Sequence, residues 1–135
     1  PNGDFACVRR SKSNTPLQAL TTLNEPVAVE CAQALARRIL TEAPREDAGR
    51  LVYACRLCLA RRPTEDETKL LTEFYQEQKQ RIADGWLDAR QLVADAAQPR
   101  AEAPSVPDGA TPTELAAWTA VARVLLNLDE TITKE

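Results

Sequence analysis

Apolar residues recur every three or four positions along most of this chain, the spacing of one helix face. Val27, Cys31, Leu35 and Ile39 stand four apart, and Ala28, Ala32, Ala36 and Leu40 widen the stripe. Asn24 is placed to cap this helix, with Glu25 and Pro26 in its first turn, and Pro44 predicts a stop near Ala43. A further helix is expected from about Pro44–Asp47 to Ala60, with Leu51, Val52, Cys55, Cys58 and Leu59 inward. Pro63 then ends it, and Thr64-Glu65-Asp66-Glu67 opens the next with a capping box. That helix carries Leu70, Leu71, Phe74, Tyr75 and Ile82 toward the core and ends at Gly85.

Two segments flank this run. Thr15-Pro16-Leu17-Gln18 predicts a short helix to about Leu23, behind an extended arm over residues 1–14. A weaker helix is expected over Trp86–Ala97, and residues 98–111 form a flexible loop containing Pro99, Pro104, Pro107 and Gly109. Thr111-Pro112-Thr113-Glu114 then repeats the cap, proline and box logic. The helix behind it buries Leu115, Trp118, Val121, Leu125 and Leu128. No strand pattern appears. The expectation is all-α: a compact bundle of five or six helices, one domain over 1–135, with a long Pro-rich loop before the last helix.

Composition agrees with that pattern. Of 135 residues, 44% are hydrophobic and only 4% aromatic, and there are only 4 glycines. The core must therefore be aliphatic and alanine-rich, which favours helices. Net charge is −3 with the signs interspersed, so no basic stripe suggests nucleic-acid binding. No apolar run is long enough to cross a membrane, and no membrane contact is expected of this chain. The chain begins at Pro1 and contains no Met, the expectation for a processed or excised piece of a longer protein.

Histidine is absent, which removes imidazole acid–base catalysis and histidine metal ligation within the chain. Cys55 and Cys58 have Cys-x-x-Cys spacing, but mid-helix beside Leu51 and Leu59 they suit small core residues better than a redox dithiol at a helix N-terminus. They remain the weak metal candidates; Cys7 and Cys31 could complete four sulfurs, though not with finger spacing. A disulfide from Cys7 is the third alternative. The acidic clusters Glu46-Asp47, Glu65-Asp66-Glu67 and Asp129-Glu130 suit helix first turns rather than paired catalytic carboxylates. Arg37-Arg38 and Arg61-Arg62 are expected on solvated faces, Arg61-Arg62 within a helix's last turn. The polar set Arg9, Arg10, Asn14, Gln18 and Asn24, beside two helix starts, is the candidate for anion or interaction contacts. No residue is assigned a catalytic role.

The segment Cys7-Val8-Arg9-Arg10, Ser13-Asn14-Thr15-Pro16-Leu17-Gln18-Ala19-Leu20 and Leu23-Asn24-Glu25-Pro26-Val27, with Glu114 to Ala122 and Val124 to Glu130, resembles the C-terminal part of a planctomycete paralogous domain of unknown function. The resemblance implies a parent protein with a further N-terminal portion and cytochrome-c-like domains. Haem c would then lie elsewhere in the parent and no cofactor in this chain. It implies export beyond the cytoplasm, into the periplasm or outside. The partner would be the N-terminal part of the same protein or a neighbouring domain. On that basis the chain is expected to be a non-catalytic helical packing or interaction module. The alternative is the C-terminal part of a redox-linked enzyme whose active site lies mainly in the N-terminal portion.

Overall fold

The computed structural model describes residues 25–89 and 105–132. Among them are five helices and no strand: α1 (Pro26–Glu42), α2 (Asp47–Leu59), α3 (Glu65–Ala83), α4 (Pro112–Leu126) and the short α5 (Asp129–Ile132). The expected arm over 1–14, the helix to Leu23 and the Trp86–Ala97 helix beyond residue 89 lie outside the described residues. No described helix is long and apolar enough to cross a membrane.

The most extensive contacts join α4 to α1 and to α3. Leu115, Ala116, Ala117, Trp118, Thr119, Val121, Ala122 and Leu125 of α4 are all buried. A helix apolar on most of its circumference is stable only when surrounded. Trp118 stacks against Tyr75 of α3, with ring centroids 4.8 Å apart and planes inclined at 34°. Ala36, Ile39 and Leu40 of α1 and Leu51, Ala54 and Cys55 of α2 complete the core. Ala32 and Ala36 of α1 and Ala116, Ala117 and Ala122 of α4 are fully buried.

Helix boundaries follow from local chemistry. At α3, Thr64 accepts from the Glu67 amide at 3.2 Å while the Glu67 carboxylate accepts from the Thr64 amide at 2.7 Å. Thr111 and Glu114 repeat this reciprocal pair at α4, at 3.2 and 2.9 Å. Each pair satisfies two N–H groups that a helix start otherwise leaves open. At the end of α3, Gly85 adopts φ +77°, and the Trp86 and Gly85 amides bond back to Arg81 and Ile82. That is a Schellman stop, which the glycine makes inexpensive.

Several expectations are corrected. The N-cap of α1 is Glu25, extended at φ −65° and ψ 131°, with no side-chain cap bond. Pro26 disfavours helical geometry in the residue before it, so Glu25 stands at the cap position rather than in the first turn. Val27 is 67% exposed and Cys31 is also exposed. Each four-residue step overshoots a full turn by about 40°, so the line from Ile39 back to Val27 winds off the buried face. Leu70 is 66% exposed because it lies one residue off the stripe of Leu71, Phe74, Tyr75, Gln78 and Ile82. Helix α2 ends at Leu59, four residues ahead of Pro63, through Ala60 in the left-handed region at φ 57°.

Candidate functional site

The described polar groups fall into two kinds: those that join elements, and those left facing a cleft. Arg61 is the clearest of the first kind. Its Nη1 and Nη2 donate to both oxygens of Glu67 at 2.8 and 2.7 Å. Its Nε and Nη2 donate to both oxygens of Glu130 at 2.8 and 2.7 Å. One guanidinium thus ties the end of α2 to the start of α3 and to α5, with bidentate geometry on each carboxylate. The Arg61 guanidinium, followed by the Thr64 amide, holds the Glu67 carboxyl down at about 2. Glu130 is lowered by the same arginine. Arg61 is therefore neither in the last turn of α2 nor free in solvent, which corrects the expectation for it; Arg62 also lies beyond the helix but is exposed, as expected.

Arg38 behaves similarly on α1. It pairs with Glu42 at 2.9 Å, and the Tyr53 hydroxyl donates to the same carboxylate. The Tyr53 bond and then Arg38 hold Glu42 below the ordinary carboxylate range. Arg50 is only 6% exposed and lies 3.7 Å from both Asp47 and Glu114. Its Nε, the Tyr75 hydroxyl and the Trp118 Nε1 are buried with no hydrogen-bond partner. Desolvation first, and then the nearby Asp47 and Glu114 charges, push Tyr75 up to about 12.

The cysteines follow burial. Cys55 is in the core, and desolvation followed by the Glu67 charge raises its thiol to about 11. Burial likewise raises Cys58. A thiol held protonated is a poor nucleophile and a poor metal ligand. Among the described residues no group of three or more Cys, Asp or Glu side chains is arranged to hold a metal ion. Cys31, Cys55 and Cys58 are free thiols; Cys7 lies outside the described residues.

The second kind of polar group lines a cleft of about 650 Å³ between the C-terminal end of α1 and the turn before α4. Arg37, Thr41 and Arg45 stand on one side, Ser105 and Asp108 on the other, with Leu40, Ala43, Val106 and Pro107 between them. Val106 and Ala110 pack against the core, so this end of the Pro-rich segment is anchored. Gly109, at φ +80°, brings the turn close to Arg45: a Cβ there would sit 3.5 Å from the guanidinium. Arg37 Nε is buried without a partner. A smaller cleft of about 490 Å³ lies at the end of α3, lined by Arg81, Asp84, Trp86 and Leu87. Trp86 there is 83% exposed.

Of the candidate contacts, Arg9, Arg10, Asn14, Gln18 and Asn24 all lie outside the described residues, so their mutual geometry does not enter here. Arg37 and Arg45 were not singled out by sequence. Arg37 looked like one half of a solvated pair, but Arg38 has a carboxylate four residues on and Arg37 does not. Arg45 follows the helix-stopping Pro44, a corner position where a side chain can turn back over a neighbouring loop.

The model of the PSD1 family, described as a protein of unknown function (DUF1553), matches residues 1–75, more than half of the chain. No curated protein and no solved structure matches it.

Proposed function

The chain belongs to the PSD1 family of proteins of unknown function, and on that premise we propose that it is a non-catalytic helical packing and interaction module of a larger protein. The observation that carries this reading is the use of its strongest polar groups. Arg61, Glu67, Glu130, Thr64, Thr111 and Glu114 each cap a helix or fasten one element to another. Trp86, large, exposed and lining a cleft, supplies the kind of anchor that dominates protein contacts. The partner is the N-terminal portion of the same polypeptide or a neighbouring domain. The resemblance to planctomycete domains extends the proposal to an exported parent that carries cytochrome-c-like domains.

The test is to produce the preceding portion of the parent polypeptide separately and measure its association with this chain by size-exclusion chromatography and calorimetry. Association that Trp86→Asp weakens supports the module reading. No association overturns it. Turnover of an electron donor by the joined pair, absent from either part, would favour the redox-enzyme alternative.

A further inference from the structure

We propose that the cleft between the end of α1 and the 105–109 turn binds a small organic carboxylate with a short apolar body. Its volume, about 650 Å³, lies within the range of small-molecule sites. Arg38, Arg50, Arg61 and Arg81 each face a carboxylate within 4 Å. Arg37 and Arg45 line the cleft with no ion-pair or hydrogen-bond partner for their guanidinium groups among the described residues. At Arg37 the Nε–H is withdrawn from water without an acceptor, an unfavourable state for a guanidinium.

The donors available are specific. The Thr41 hydroxyl donates to the Arg37 carbonyl at 2.8 Å, so its proton is already committed and it offers a ligand only lone pairs. The two guanidiniums and the Ser105 hydroxyl remain. The absence of a Cβ at Gly109 leaves open the space beside the Arg45 guanidinium. The guanidinium fork matches the two oxygens of a carboxylate.

Charge sets the ligand's valence. Two positive arginines share the cleft with Asp108 and with the C-terminal end of α1, whose carbonyls carry about half a negative charge. The balance is weakly positive, which suits a monoanion better than a dianion. Leu40, Ala43, Val106 and Pro107 supply an apolar wall that inorganic phosphate cannot use but the body of an organic acid can.

The experiment is a two-dimensional amide NMR titration of the full chain with phenylacetate at constant ionic strength, alongside 2-phenylethanol and inorganic phosphate. Phenylacetate should give saturable shifts confined to residues 37–45 and 105–110. The neutral alcohol and phosphate should each bind about tenfold or more weakly. Arg37→Gln and Arg45→Gln should each weaken phenylacetate by about tenfold, with unchanged circular dichroism as the folding control. Asp108→Asn should tighten it. The proposal is overturned if phenylacetate gives no localised shift, if the alcohol or phosphate binds as well, or if both arginine variants fold and bind normally.

Discussion

Arg37 and Arg61 are each the first member of an Arg-Arg pair, Arg37 within α1 and Arg61 just beyond the end of α2. Arg61 meets two carboxylates, each gripped through both oxygens, whereas Arg37 faces an open cleft with its Nε unmatched. The difference is one of long-range partners: Glu130 lies 69 residues from Arg61. An arginine whose partners are assembled by the fold serves the fold. One that the fold leaves unmatched beside a cleft has capacity for something else.

That contrast presupposes a rigid α4, because α4 packs against α1 and α3 while the cleft turn leads directly into it. Trp118→Ala is the severest test. Removing a fully buried indole stacked on Tyr75 should cost about 3–5 kcal/mol, measured by urea denaturation. An unchanged midpoint would mean that α4 does not hold the two regions in place.

A smaller effect separates the two arginines directly. Arg61→Gln should lower the thermal midpoint, since it unfastens α2, α3 and α5 together, while Arg37→Gln should leave it unchanged or raise it. The Arg61 effect should also depend on acid. Glu67 has a folded value lowered from 4.5 to about 2, so its stabilising contribution is complete above about 4.5 and is lost as pH falls toward 2. Melts from pH 6 to pH 2 should show this loss in the parent chain and much less of it in Arg61→Gln. Equal acid profiles would break the comparison.

The smallest expected effect is at Leu70. Because it is 66% exposed, Leu70→Lys should change stability by no more than about 0.5 kcal/mol. A large loss in the denaturation midpoint would restore Leu70 to the core.

Local signals were the legible part of this fold. The capping boxes at Thr64 and Thr111, the stop at Gly85 and the core positions of Trp118, Tyr75 and Cys55 are all visible in short stretches of sequence. Facing was less legible: Val27 and Leu70 are apolar, but which stripe a helix turns inward is decided by its neighbours. The first-turn placement of Asp129 and Glu130 was legible too, but the bond from Arg61 to Glu130 was not, because the two lie 69 residues apart. The cleft was not legible at all, since it needs Arg37, Arg45 and Ser105 together, residues that only the packing of α4 on α1 brings near. Arg9, Arg10, Asn14, Gln18 and Asn24 remain a reading of sequence, outside the described residues.

The pairing of α1 with α4 has a consequence for how the chain assembles. The main apolar face of α1 waits for a partner that begins at Pro112, so a growing chain cannot close its core until α4 is made. α2 and α3 can form early as local helices, but the decisive contacts have high contact order and should set the folding rate. Truncation within α4 should therefore leave α1 exposed and the chain prone to aggregate.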